Sequence, residues 1–308
     1  MGWWAGYPKG GEGFGGRLDP MKPELIWLIP TLVLTGLILL AIEHLIPLRS
    51  RSREILPRLL LNAAISLLAF GASAVLVQPM AAAILGWSAE RRVGVVPALS
   101  LPAPAGSALA FLLLDLSFYY WHRANHRIPF LWRFHNVHHI DPDLDVSTSF
   151  RFHFGEVALS TVFRVVQIAV IGVSGWTYAV YELVFQLNTL FHHSNLRLPI
   201  RLERWLNLFL VTPRMHGIHH SQVRAETDSN YSVVFSWWDR LHRTVRLNVP
   251  QSRITIGVPG YSRPEDNGLA SALALPFRRQ REYWRHLDGS VVARDPEVLG
   301  ADPGYLEE

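Results

Sequence analysis

Residues Leu59 to Trp87 read LLLNAAISLLAFGASAVLVQPMAAAILGW, 29 consecutive positions with no Asp, Glu, Lys, Arg or His. A helix rises about 1.5 Å per residue and the hydrocarbon core of a bilayer is about 30 Å thick, so about 20 apolar residues suffice to cross it. An uncharged run of this length reads as a membrane span. Upstream, Leu25 to Ile42 is also free of charge. Downstream, Val93 to Leu114 is charge-free, but Pro97, Pro102 and Pro104 place the start of its helix near Ala105, with the helix continuing to about His122. A fourth apolar region, Val157 to Phe191, is interrupted by Gly172, Ser174 and Gly175, which predicts a hairpin of two short helices, with Arg164 inside the first arm. The expected fold is an all-α integral membrane bundle of about four spans, with a helical, histidine-rich cap from residues 123–156 and 196–250.

Composition agrees. Hydrophobic residues make up 49% of the 308 and charged residues only 18%, with a mean hydropathy of +0.16. The formal charge of +4 comes from arginines scattered through loops that flank the apolar runs, which argues against nucleic acid and for lipid head groups and topology. Arg49, Arg51, Arg53 and Arg58 between the first two spans make that loop cytoplasmic by the positive-inside rule, which brings every clustered histidine to the cytoplasmic face. The chain divides into four regions: a flexible Gly-rich tail at 1–23, N-terminal spans at 24–104, a catalytic region at 105–250 and a surface segment at 251–308.

The chain has no cysteine. That excludes disulfides, iron–sulfur clusters and thiolate-bound haem or zinc, and leaves imidazole and carboxylate as the strong metal ligands. Eleven of the fourteen histidines lie between His122 and His220. His122 and His126 are an i, i+4 pair on one helix face. His135, His138 and His139 repeat the spacing of His216, His219 and His220, and each triplet can direct two rings at one ion while the third turns to another. His192 and His193 end the hairpin, and His153 stands alone. Eight or more converging imidazoles exceed the three or four ligands of a single zinc site and imply two ions. Imidazole by itself does not separate iron from zinc, copper or nickel. For His44, His242 and His286 an ordinary polar role is expected.

These motifs resemble the fatty acid hydroxylase and sterol desaturase superfamily of membrane di-iron oxygenases. The likeness covers Asp115 to about Thr244. It includes HxxxH at His122/His126, HxxHH at His135/His138/His139 and at His216/His219/His220, and the flanking segments Trp132-Arg-Phe-His135, His193-Ser-Asn195, Thr212-Pro-Arg-Met-His216, Asp228-Ser-Asn230-Tyr231 and Trp237-Trp238-Asp239-Arg240. It departs from the family pattern twice. Phe154 follows His153 where relatives usually have Pro, and His242-Arg-Thr244 stands where relatives often have Phe-Gly-Thr.

The resemblance implies O2-dependent hydroxylation or desaturation of a lipid taken from the bilayer. It also implies two Fe ions, or zinc as purified, and a separate electron donor such as a cytochrome, ferredoxin or reductase. Catalytic ligands would be His122, His126, His135, His138, His139, His193, His216, His219 and His220, with His153 and His192 as further candidates. Asp115, Glu156, Asn188, Asp228 and Asp239 would orient the rings. Ether cleavage or aldehyde conversion at the same site, a metal transporter or sensor, and a di-zinc lipid hydrolase are the competing functions.

Overall fold

A computed structural model describes residues 28–294. The Gly-rich tail expected at 1–23 and the chain after 294 lie outside the described residues. Among those described there are helices, turns and isolated bridges, and no β-strand.

The charge-free run 59–87 lies within α2 (Ile55–Ala72) and α3 (Gln78–Arg91) and the turn between them, preceded in the chain by α1 (Leu28–Leu45). Between α2 and α3 lies a π turn, Ser73–Val77. Pro79, at the start of α3, has no N–H and would collide with the carbonyl four residues back in an unbroken α-helix. The wider turn absorbs that conflict and swings Ser73, Val77 and Gln78 onto the wall of an internal cavity. Arg92, in the left-handed region (φ 51°), ends α3. After the short α4 (Val95–Ala98), α5 (Ala103–Arg127) takes its prolines at its first turn and runs through both histidines of the first pair.

The expected hairpin is α7 (Phe154–Ile171) and α8 (Gly175–His193). Gly172 closes α7 at φ 68°, and the Ser174 hydroxyl caps α8 by accepting from the Thr177 N–H at 3.2 Å. A Cβ on Gly172 would collide with the Val93 carbonyl oxygen, so the α3–α4 turn and the α7–α8 turn touch backbone to backbone.

Three apolar stretches are long enough to cross a membrane, within Ile55–Ala98, Ala103–Arg127 and Phe154–Ile171, with a shorter apolar helix at Ile29–Leu45. The chain is an integral membrane protein. Leu67, Val75 and Val162 are about 70% exposed on the outer faces of these helices (71%, 73% and 69%), an apolar surface suited to lipid.

Between the spans and the cap lies a buried polar network. Arg58 reaches Asp141 through two bonds, Nε to Oδ1 at 2.7 Å and Nη2 to Oδ2 at 2.9 Å, and pairs with Asp145 through Nη1. Asn62 donates to Asp141 at 3.0 Å, and fully buried Arg151 donates to the Asn62 side-chain oxygen at 2.7 Å and to the Val137 backbone carbonyl at 3.0 Å. Arg58 therefore holds the loop beyond the second histidine group of the sequence, in addition to its place in the basic loop. Arg49 likewise turns inward, 2.6 Å from the Gln251 side-chain oxygen.

A surface segment is expected after residue 250. Instead Val258, Tyr261, Ala272 and Leu275 are buried in one core with Trp132 and Ile65. Their apolar side chains are separated by turns, so no helical or strand period announces them in the sequence. They include α13 (Leu269–Ala274).

Burial would push the Asp141 carboxyl up, but Arg58 and Arg151 beside it hold it down at about 2. Unfolded Asp titrates near 4. This carboxylate therefore stabilises the fold fully above about pH 4, and its contribution is lost as pH falls through about 2. Arg58→Met should cost about 3 to 5 kcal/mol at neutral pH by leaving buried carboxylates unpaired. Unfolding in detergent should show the gap to wild type narrowing as the pH approaches 2, and a pH-independent gap would contradict the pairing.

Candidate metal centre

Four elements deliver histidines to one end of the bundle. α5 carries His122 and His126 beyond the apolar part of its span. α6 (Pro129–His139) and α10 (Pro213–His219) each begin on a proline in the first turn after an extended residue, Ile128 or Thr212. That start sets the helical phase, so His135, His138 and His139, and His216 and His219 with His220 at the helix end, project inward. α8 brings His192 and His193.

The rings form two adjacent groups. In the first, the ligand atoms of His122, His126, His135, His139 and His219 lie within 4.8 Å of one another; in the second, those of His138, His193, His216 and His220 do. The groups share a wall, since the rings of His139 and His220 stack at 4.3 Å. All nine are the residues expected to be catalytic ligands.

The hydrogen bonds of each ring decide which nitrogen is free. His122 Nδ1 donates to the Tyr231 carbonyl at 2.7 Å, His219 Nδ1 to the Ser229 carbonyl at 2.7 Å, and His135 Nδ1 to Glu156 at 2.8 Å. A carbonyl accepts only, so the proton of His122 and His219 sits on Nδ1 and Nε2 keeps its lone pair. The Nε2 atoms of His126, His135, His139 and His219 are buried without any hydrogen-bond partner. Four orphaned nitrogens aimed at one point would be costly without a cation.

The second group is tighter. His193 Nδ1 donates to the Thr189 carbonyl at 2.9 Å, so its Nε2 is a bare acceptor. That atom lies 3.1 Å from His138 Nε2 and 3.0 Å from His216 Nε2, and His216 Nε2 lies 3.1 Å from His220 Nε2. One proton on His216 cannot serve both neighbours. Two imidazoles on a tetrahedral ion at about 2.0 to 2.1 Å have their nitrogens about 3.3 Å apart, close to this spacing. Burial pushes His138, His139 and His220 well below the ordinary histidine value, with neighbouring rings adding to it, and leaves His219 at about 3. These rings are neutral at pH 7, as ligation requires. The residues fit a pair of metal ions.

His153 lies outside both groups. Its Nδ1 accepts the Gly155 N–H at 2.9 Å and its Nε2 donates to the Leu273 carbonyl at 3.1 Å, so both nitrogens are used to cap α7 and tie it to the C-terminal segment. Phe154, at the first position of α7, occupies the place where proline is favoured, which accounts for the family's usual residue there. His192 also lies outside the two groups, with its ring 4.2 Å from that of His216 and its Nδ1 3.3 Å from the Asn188 amide.

Of the four carboxylates, Glu156 touches a ring of the two groups, that of His135. Asp115 instead accepts from the Phe235 N–H at 3.0 Å and the Trp238 indole at 2.7 Å, and Asp239 from the Tyr231 and Ser232 N–H groups at 2.9 and 2.8 Å. Both clamp the loop that presents the Tyr231 carbonyl to His122. Asp228 accepts from the Tyr231 hydroxyl at 3.3 Å. The carbonyls of Thr189, Ser229 and Tyr231 were invisible to motif reading because any residue can supply a carbonyl. Asn230 in the left-handed region (φ 53°) is the local sign of the turn that aims two of them. Phe152 stacks on His138 at 4.6 Å, and Trp132 closes over His126 and His139 at 4.9 and 5.2 Å.

His242-Arg-Thr244 has a structural explanation. His242 stacks on Tyr119 at 4.6 Å, the Thr244 hydroxyl donates to Asp239 at 2.6 Å, and Arg243 between them holds φ 56°. That conformation favours the glycine that relatives carry.

Metal-free protein should bind two divalent ions per chain, and Glu156→Gln should weaken uptake about 10- to 100-fold by loosening His135. Equilibrium dialysis with metal analysis reads both; a single ion, or unchanged affinity in the variant, would count against the two-group assignment. Arg243→Gly should raise the unfolding midpoint, by up to about 1 kcal/mol of stability, through relief of left-handed strain. A lower midpoint would show that the Arg243 side chain matters more than its backbone.

Residues 107–244 match the fatty acid hydroxylase family. The ornithine lipid hydroxylase OlsE of Rhizobium tropici is 29% identical over 233 residues, covering 71% of this chain and 66% of that protein. Human alkylglycerol monooxygenase is 31% identical over 135 residues, 44% of this chain and 29% of that protein. Mouse cholesterol 25-hydroxylase is 26% identical over 153 residues, 48% of this chain and 50% of that protein. The matches therefore span at most 66% of these relatives. No solved structure matches. The three histidine boxes and both metal-fitting groups all lie inside residues 107–244, the region that is similar to the fatty acid hydroxylase family.

Proposed function

We propose that the chain is a membrane-bound lipid oxygenase that uses two iron ions and O2 to hydroxylate or desaturate a lipid at an unactivated C–H bond. The function rests on one observation: His122, His135, His138, His193 and His216, drawn from both histidine groups, line the same cavity of about 180 Å³, whose other walls are mainly apolar side chains of the spans. Metal-facing nitrogen and hydrocarbon-lined space meet there. Iron held at the two groups would supply the redox chemistry that O2 activation requires and that amino-acid side chains lack.

The rest falls to the protein. Phe118, Trp121, Phe152 and Phe185 line the cavity and exclude water. Glu156 and the carbonyls of Thr189, Ser229 and Tyr231 fix the protons of four rings on Nδ1, so that Nε2 faces inward. The substrate is a lipid drawn from the bilayer, in keeping with what the relatives are named for. The chain has no dinucleotide or haem motif, so electrons come from a separate cytochrome, ferredoxin or reductase. The basic loop between α1 and α2 supports a cytoplasmic active site. Ether cleavage at the same centre is the second outcome, favoured by the likeness to alkylglycerol monooxygenase. A transporter would hold its ions near the bilayer midplane on broken helices, whereas these ligands sit at helix ends and in the cap.

His139→Ala removes a ring of the first group and His220→Ala one of the second, and each should abolish lipid oxidation while the protein still inserts. His286→Ala, outside both groups, should retain activity. Mass spectrometry of oxidised lipid in cells with equal expression and a competent electron donor reads the result. Full activity in His139→Ala and His220→Ala would sink the oxygenase function.

A further inference from the structure

The wall of the cavity also holds an ion pair that the metal centre does not use. Arg164, in the middle of α7, is 6% exposed, and its Nη1 lies 2.9 Å from Glu182 Oε1 on α8 and 3.1 Å from the Gln167 side-chain oxygen. Gln167 is in turn locked to α5, donating to the Leu114 carbonyl at 3.0 Å and the Ser117 hydroxyl at 2.7 Å. The guanidinium rests against Phe118 and Phe185, 5.2 and 5.7 Å from the ring centroids. Arg164 is thus fixed from three sides.

Glu182 is not. Its Oε1 meets Arg164 as an ion pair without a directional hydrogen bond and is buried with no other hydrogen-bond partner, and Tyr178 is its remaining polar neighbour. Both Arg164 and Glu182 face the cavity, as do Gln78 and Gln186. A buried ion pair is weak evidence for stability, since apolar residues of similar volume often do as well. Ionisable groups inside membrane spans are costly and serve substrate or proton pathways. Binding pockets are mostly apolar, with a few polar groups that fix orientation.

We propose that Glu182, oriented by its ion pair with Arg164, is a subsite for the polar end of the lipid. This rests on the oxygenase function above and names the substrate class for the same cavity. Arg164 and Glu182 sum to zero charge, so a head group with net charge would leave that charge unpaired in a medium of low dielectric. With Arg164 and Tyr178 beside it, the Glu182 carboxylate still has acceptor positions open to a donor from the cavity. The head group that fits is net uncharged and offers an O–H or N–H: a hydroxyl, or a zwitterion presenting its ammonium. Along α7, Arg164 lies eight residues beyond Glu156, about 12 Å at the helical rise, and along α8 Glu182 lies ten residues before His192, about 15 Å. The C–H bond presented to the metal centre would therefore stand about 12 to 15 Å from the head group.

The test uses the full-length protein in detergent, with a radiolabelled long-chain primary alcohol, the alkane and the fatty acid of equal length, and a zwitterionic amino lipid. Equilibrium binding and oxidised product are measured separately, for wild type, for Glu182→Gln and for the double variant Arg164→Met/Glu182→Leu, whose apolar pair keeps the packing. Wild type should bind the alcohol or the zwitterion at least about tenfold more tightly than the alkane and the fatty acid, the effect of a hydrogen bond to a charged group. The double variant should lose that preference, and Glu182→Gln should reduce it. Equal affinity for all four lipids, no binding, or a preference that survives both substitutions overturns the subsite. The expected preference without any product from metal-loaded, electron-supplied protein supports the subsite and overturns the oxygenase function, so the two failures are distinguishable.

Discussion

A carbonyl oxygen can only accept a hydrogen bond, and the centre depends on that constraint. Wherever Thr189, Ser229 or Tyr231 meets an imidazole Nδ1, the proton is fixed there and the opposite nitrogen is left as a lone pair directed into the protein. Repeated around the cluster, this yields buried acceptors with nothing to accept from. The fold has in effect been built around an unmet electrostatic demand. Residues remote from the rings take their meaning from it. Asp115 and Asp239 collect backbone N–H groups of the loop that carries the Tyr231 carbonyl, and Asn230 bridges that loop to the Met215 carbonyl in α10 at 2.9 Å. Glu43, at the end of α1, accepts the Asn195 N–H at 2.7 Å just beyond His193. A displaced clamp would move a carbonyl, and a moved carbonyl would turn a ring.

The spans and the two triplets were legible in the sequence because each obeys a simple period. Charge-free length announces a membrane helix, and i, i+3, i+4 spacing announces one helix face whatever the tertiary fold. In the structure Pro129 and Pro213 stand in the first turns of the box helices. The break at Gly172 was readable for the same reason: only a residue without Cβ fits both the positive φ and the contact with Val93. All of these are local signals.

The features that escaped the sequence are relational. Glu156, Asp115, Asp228 and Asp239 are equally plausible partners of histidine on paper, and only tertiary contact shows that Glu156 touches the His135 ring while Asp115 and Asp239 hold backbone and Asp228 meets the Tyr231 hydroxyl. His153 was a further candidate only through the family resemblance, and its neighbours in space are an N–H and a carbonyl that use both its nitrogens. Arg58 was read from charge alone as a topology residue, and its pairing with Asp141 and Asp145 depends on residues more than 80 positions away.

The part of the chain beyond the family match has a physical place in this scheme. The two histidine groups come from residues 107–244, but the outer faces of the helices that carry them are braced by the segment C-terminal to that region. Trp284 stacks on Trp132 at 5.7 Å, and Trp132 in turn covers His126 and His139. Arg294 makes two 2.8 Å bonds to Glu226, which accepts from the Ser221 hydroxyl at 2.5 Å, one residue past His220. Arg49 and Gln251 meet against α10, where a Cβ on Gly217 would collide with the guanidinium. Ligand geometry must be held to about 0.5 Å for a metal site to work, and side chains achieve this only when their own rotamers are locked by packing behind them. In this chain the histidine boxes and the side chains packed behind them lie in different segments, so the C-terminal segment supplies rigidity to rings that the matched region provides.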